Sequence, residues 1–371
     1  MKRYFILLVV FSLHQGLFSQ NEINQIENTL QDYIEGTSYN HPVQIQKAFY
    51  TDANLYLDKK GQDIWVVPIS QYVGWFKNGK QGQFNGRIGN ILSVEFFGNI
   101  ASAKAEIIIP ENNVRYVDLF LLKKINNQWK IISKTASSSK TNFNGNRILF
   151  IVSNAHFYGN TNLATGNSYS EIVNAYDTFV KAGYTVDFVS PEGGSIPLAY
   201  INTSDELGKA YLYDADFMYA LGNTKSPTDI NPKNYKAVHY IGGGSAMYGV
   251  PDNTAIQNIV MTIYEDQKGI ISSVCHGTAG IVHLKTKDGK YLVEGKRVNG
   301  YPDAFESKEA EYFKQFPFLI TETIEERGGI FKYSPRNTVH VEVDKNLVTG
   351  QNYLSSKHVA LKIIEMLKDN E

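Results

Sequence analysis

The chain has 371 residues, with 36 lysines and arginines against 37 aspartates and glutamates, for a formal net charge of −1. Its length predicts about two domains, each able to bury a core, and the charge balance leaves no basic field to hold nucleic acid or an anionic membrane. A hydrophobic content of 43% argues against general disorder, and a single cysteine, Cys275, excludes an intramolecular disulfide framework and a cysteine-rich structural zinc site.

Residues 1–20 read as a signal peptide. Lys2 and Arg3 make a positive start, residues 4–13 an apolar stretch too short to span a bilayer, and Leu17-Phe18-Ser19 a cleavage end with a small residue last. No later stretch approaches the ~20 apolar residues of a membrane helix. The mature chain is therefore expected to be exported, periplasmic or secreted, free of the membrane after cleavage, where a lone cysteine has no sibling to mispair with.

Residues 21–135 open with apolar positions at helical spacing, Ile23, Ile26, Leu30 and Ile34. Strand-like runs follow at 52–57, 64–67, 88–97, 100–109, 114–123 and 129–134, joined by turns such as Gly98-Asn99, Glu111-Asn112-Asn113 and Asn126-Asn127. This predicts an α+β cone, a helix followed by a curved antiparallel sheet. Residues 136–146, rich in serine and asparagine with Gly145, read as a linker by composition.

The opening helix, Phe49-Tyr50-Thr51-Asp52-Ala53, the run Tyr116–Lys123 and Gln128-Trp129-Lys130-Ile131-Ile132-Ser133-Lys134 resemble the SnoaL-like, nuclear-transport-factor-2-like fold in its lumazine-binding branch. The resemblance implies a cone that encloses a small ligand or pairs through its sheet, which makes a homodimer one expected assembly. Asp118 is either a polar group of such a cavity or a solvated or hydrogen-bonded strand position. No catalysis is assigned to this region.

Residues 147–371 alternate strand and helix. Apolar strands at 148–152, 186–190, 237–241 and 270–274 are separated by helical patterns at 169–181 and 254–267, and a further helix is expected at 276–284. Repeated βα units predict an α/β domain with a flavodoxin-like, mainly parallel sheet covered on both faces. Its active crevice should lie at the carboxyl ends of the strands.

Cys275 falls at that place. The apolar run 270–274 stops at the cysteine, and Gly277, Ala279 and Gly280 permit a tight turn into a closely packed helix, the logic of a nucleophile elbow with Cys for Ser. A helix start favours the thiolate. The plainer reading of a lone cysteine is a small buried hydrophobe. Adjacent side chains on a regular helix do not face one another, so Cys275 can meet His276 only from a strained, non-helical backbone.

Val274-Cys275-His276-Gly277, the run Tyr184–Gly194, Pro251-Asp252-Asn253, the run Tyr291–Val298 and Leu347-Val348-Thr349-Gly350-Gln351-Asn352 together resemble the ThiJ/PfpI superfamily, with its class I glutamine-amidotransferase-like fold. The narrower likeness is to its glutathione-independent glyoxalase III and heat-shock chaperone branch. That resemblance implies Cys275 as nucleophile, Glu171 as a buried proton-shuttling acid, and Glu306 as the acid that orients His276, with Asp303 and Glu309 as competitors. Burial should raise the pKa of Glu171. Backbone N–H groups of Gly243 and Gly244, with that of His276, would make an oxyanion hole. This chain has Ile241-Gly242-Gly243-Gly244 where the superfamily usually has Pro-Gly-Gly-His, so substrate shape is expected to differ.

The implied reaction converts a small aldehyde substrate, methylglyoxal or another 2-oxoaldehyde, to a 2-hydroxy acid without metal, nucleotide, glutathione or other cofactor. Two alternatives stay open: an amidase, peptidase or protein deglycase at the same cysteine, and a holdase chaperone in which Cys275 is a redox sensor. His340-Val341-Glu342 has the His-x-Glu wording of glutamine amidotransferases but precedes the strand it should follow, which favours an ordinary strand pair. His239 and His283 have no partners at metal-ligand spacing.

Overall fold

The computed structural model describes residues 2–369, with side chains from residue 20 onward. Apart from Gln20, the segment read as a signal peptide lies outside the residues whose side chains are described. The chain divides into two compact units, Met1–Gly145 and Asn146–Glu371. Among the described residues no helix is long and apolar enough to cross a membrane.

The first unit begins with α1 (Lys2–Ser38) and α2 (Pro42–Ala48), followed by β1 (Phe49–Lys59), β2 (Gln62–Pro68), α3 (Ile69–Gly74), β3 (Ile88–Phe97), β4 (Ile100–Ile109), β5 (Val114–Ile125) and β6 (Gln128–Lys140). Its sheet runs β2-β1-β6-β5-β4-β3, antiparallel except where β1 meets β6. Ile26, Leu30 and Ile34 are buried on the helix face that their spacing defines, and Ala105, Ile107, Phe120, Leu122 and Ile131 are the buried alternate residues of their strands. At the β5–β6 hairpin both loop residues, Asn126 and Asn127, have positive φ (48° and 62°), the twist that joins two strands through two residues.

The expected linker is partly strand. Ser137, Ser138, Ser139 and Lys140 continue β6 and pair with Val117, Tyr116, Arg115 and Val114 of β5. These serines face solvent for the most part, so composition reads as linker while the backbone ladder with an already formed neighbour holds the segment extended.

The sheet of the second unit comprises β7 (Arg147–Ile151), β8 (Thr185–Val189), β9 (Tyr235–Tyr240), β10 (Ile270–Val274), β11 (Val341–Asp344) and β12 (Leu347–Gly350). Strand order is β11-β12-β10-β9-β7-β8, parallel except for the edge strand β11. Helices α4 (Tyr169–Lys181), α5 (Thr254–Met261), α6 (Ile320–Glu326) and α7 (Ser356–Asp369) flank it. Leu149, Ile151, Val238 and Ile271 pack with Ile256 and Val260 of α5, while Ile148, Phe150, Ala237 and Ile270 pack with Ile172 and Phe179 of α4 and Val359 and Ile363 of α7. Two cores on opposite faces are what apolar strands of a parallel sheet require.

Two expected helices differ. The pattern at 254–267 is helical only to Met261, after which Thr262–Asp266 widens into a π turn. Instead of an α-helix at 276–284, Cys275–Ile281 forms a 3-10 turn. Its backbone lies hard against β9: a Cβ on Gly277 would fall 2.4 Å from the Tyr240 carbonyl oxygen, and one on Gly280 2.3 Å from the Tyr240 ring. Such an approach suits a narrow helix whose inner face carries no side chains.

Candidate active site

Cys275 follows directly from the end of β10, with φ at +55°, a left-handed conformation that an L side chain rarely adopts. This twist lets sequence neighbours meet: the Cys275 Sγ lies 3.5 Å from Nδ1 of His276. On its other side, Nε2 of His276 donates to Oε1 of Glu306 at 2.8 Å, and Oε2 of Glu306 accepts from the Tyr312 hydroxyl at 3.0 Å. The imidazole stacks on Tyr301, ring centres 4.7 Å apart, with Phe316 against it. The tautomer that donates from Nε2 to Glu306 leaves Nδ1 as an acceptor toward the thiol.

Glu306 rather than its neighbours holds the imidazole. Asp303 accepts from the backbone N–H groups of Thr321 and Glu322, at 3.1 and 3.0 Å, and so caps the first turn of α6. Glu309 is exposed.

Glu171 stands in the first turn of α4 and is only 2% exposed. Its Oε2 accepts from the Gly242 N–H at 2.9 Å, and the carboxyl also hydrogen-bonds the Cys275 thiol and Ser168. Burial outweighs all three and pushes its pKa up to about 8, so the acid is mostly protonated at neutral pH.

The thiol departs from expectation. Burial, then the charge of Glu171 when ionised, push the Cys275 pKa well above its ordinary value, and the His276 backbone N–H opposes them only in part. A short 3-10 turn offers little dipole, and the thiol is 8% exposed. Burial thus favours the neutral thiol over a standing thiolate. The His276 backbone N–H also hydrogen-bonds the thiol.

Gly243 and Gly244 lie at the end of β9. Gly243 has φ of +100°, and a Cβ there would fall 2.3 Å from the Gly166 carbonyl oxygen, so only glycine fits. A Cβ on Gly244 would fall 2.2 Å from the Tyr158 hydroxyl oxygen and 2.6 Å from Thr165 Oγ1. The phenol of Tyr158 occupies the space that a side chain at 244 would need. Its ring packs with Tyr248, Tyr312 and Phe316, at 6.3, 5.5 and 6.1 Å between centres.

Sequence reading missed these phenols. Tyr200, with φ of +58°, hydrogen-bonds Tyr158, and burial followed by the charges of Tyr158, Cys275 and Glu171 raises its phenol pKa. Both residues sit in irregular segments, where periodicity carries no signal. His340 and Glu342 bond each other at 2.9 Å, with Ser334 and Arg297 as further partners, and none of their hydrogen bonds reaches Cys275. Among the described residues no group of His, Cys, Asp or Glu is arranged to hold a metal ion.

A cysteine at positive φ between a parallel strand and a tight turn, backed by histidine and two acids, defines a nucleophile-elbow α/β protein. More particularly, the DJ-1/PfpI sequence model matches residues 162–366, over half of the chain, and the chain belongs to that family. Residues 21–137 match the model described as "Putative lumazine-binding". A Schizosaccharomyces pombe protein named glutathione-independent glyoxalase hsp3102 is 30% identical over 215 residues, 55% of this chain and 89% of its own length. The Saccharomyces cerevisiae glutathione-independent glyoxalase HSP31 is 29% identical over 218 residues, covering 55% and 90%. Among solved structures, the Francisella tularensis Rapid Encystment Protein is similar with a TM-score of 0.57 and 27% identity, covering 60% of this chain and 99% of its own. Glyoxalase III from Candida albicans shares the fold, with a TM-score of 0.54 and 23% identity over 59% and 96%.

Proposed function

We propose that the second unit is a cysteine-dependent, glutathione-independent glyoxalase that converts 2-oxoaldehydes such as methylglyoxal to 2-hydroxy acids. The observation that carries this reading is the convergence on one thiol of a general base, His276 held by Glu306, and a second, separately buried acid, Glu171. Amide hydrolysis needs a nucleophile and a base. Moving a hydrogen between adjacent carbons needs a further group able to give and take a proton near neutrality.

His276 takes the thiol proton and the sulfur adds to the aldehyde carbon, giving a hemithioacetal. A proton leaves that carbon and one is delivered to the neighbouring ketone carbon, with Glu171 and His276 as carriers; the first carbon is oxidised, the second reduced. The product is a thioester of the 2-hydroxy acid, and water releases the acid and regenerates the thiol. The N–H groups of Gly243 and Gly244 would face the oxyanion that forms on the first carbon. None of these steps calls for a cofactor.

Purified chain incubated with methylglyoxal and no glutathione should produce lactate, and Cys275→Ser should abolish it. Lactate formation that persists in Cys275→Ser defeats the reading. The N-terminal sequence further supports a proposal of export, which a mature protein beginning near residue 20 in a non-cytoplasmic fraction would bear out.

A further inference from the structure

The cone of the first unit carries polar chemistry that the reaction above does not use. Asp118 and Lys134 are buried at 1% and 4% exposure and paired at 2.7 Å, and Tyr33 donates to the second Asp118 oxygen at 2.6 Å. The Tyr33 and Tyr72 hydroxyls lie 3.3 Å apart, and Lys134 stands over both rings. That group is closed: the carboxylate has its cation and its phenol.

Arg87 breaks the balance. It precedes β3 and stands beside Tyr72, Tyr33, Asp118 and Tyr116, its guanidinium 5.9 Å over the ring of Phe76. Its Nε is buried, and no hydrogen-bond partner reaches it among the described residues. Two cations, Arg87 and Lys134, thus face one carboxylate, Asp118, leaving one positive charge uncompensated. A buried guanidinium nitrogen without a partner is costly and persists where something else meets the group. The neighbouring end of the cone is accessible: residues 88–93 and Tyr116 are half-buried instead of alternating between buried and exposed.

We infer that the cone binds a small organic monocarboxylate, its two oxygens on the Arg87 guanidinium and its apolar body among Phe76, Tyr72 and Tyr116. A planar fork of N–H donors matches a carboxylate, a single excess charge matches a monoanion, and aromatic walls match a carbon skeleton. Inorganic phosphate, more highly charged and without apolar surface, fits this site poorly.

Titration calorimetry on the full chain, with sodium benzoate and sodium lactate as probes and benzamide as the uncharged match to benzoate, tests the inference. At least one acid should bind saturably, benzamide about tenfold more weakly than benzoate or worse, and Arg87→Gln should weaken acid binding about tenfold or more while turnover of methylglyoxal is unchanged. Without acid, Arg87→Gln should melt no lower than the parent, because the buried Nε has no hydrogen bond to lose. Adding the acid should raise the melting temperature of the parent alone. Failure of both acids to bind, equal binding by Arg87→Gln, or a marked loss of stability in acid-free Arg87→Gln would each overturn it.

Discussion

Each unit buries a carboxylate, and the partners differ. In the cone, Asp118 has a lysine at 2.7 Å and a phenol at 2.6 Å, both donating to it. In the α/β unit, Glu171 has a thiol, a serine and one backbone N–H, and burial lifts its pKa to about 8. A buried acid beside a cation is fixed as part of the scaffold, because moving its proton would strand the counter-charge. A buried acid beside neutral groups can hold or release a proton at little cost near neutrality, which is what catalysis asks of it. The same residue chemistry is locked by a cation in one unit and left among neutral groups in the other, where the proposed reaction would use it.

The sharpest way to separate them is to remove the proposed nucleophile. Cys275→Ser should lower turnover of 2-oxoaldehydes by roughly a thousandfold or more, about 4 kcal/mol of barrier, with an unchanged circular dichroism spectrum. Glu171→Gln should cost on the order of a hundredfold or more in kcat. By contrast Lys134→Met, which strands Asp118, should leave kcat intact yet destabilise the cone by about 3 kcal/mol in urea unfolding. Loss of turnover in Lys134→Met without loss of stability would break the comparison.

A pH experiment sharpens it further. Between the ordinary value of 4.5 and about 8, the unfolded chain has released the Glu171 proton and the folded chain has kept it, so this group lowers stability progressively as pH rises through that window. Melting temperatures of Glu171→Gln relative to the parent should therefore climb from pH 5 to pH 8. A relative stability that is flat over this range would show that Glu171 is ionised in the folded state. The smallest effect is expected for Tyr312→Phe, which removes one bond to Glu306 and should cost about 1 kcal/mol of transition-state stabilisation, measured as kcat/KM.

Much of the architecture was legible because burial has a period. Ile26, Leu30 and Ile34 announced a helix face, and the apolar runs 148–152, 237–241 and 270–274 announced strands covered on both sides. The meeting of Cys275, His276, Glu306 and Glu171 was reached through motif order, and spacing alone would not have singled out Glu306 over Asp303. Position decides that question: Asp303 is spent on a helix cap 18 residues away. What escaped the sequence depends on three-dimensional closeness. The thiol pKa moves upward because Glu171 and the surrounding burial come from distant segments, and the serines of β6 are strand because β5 lies alongside.

Tyr158 and Gly244 carry one further consequence, for mutational history. Since the phenol oxygen occupies the place of a Cβ at 244, the two positions are epistatic. Gly244→His made alone should be destabilising, whereas Tyr158→Ala removes the nearer obstacle and leaves only the Thr165 hydroxyl to turn aside. A library that varies position 244 alone will score it as intolerant, and paired variation with Tyr158 is the way to recover the histidine-bearing form. Any evolutionary route between the two forms must pass through a site that holds neither group.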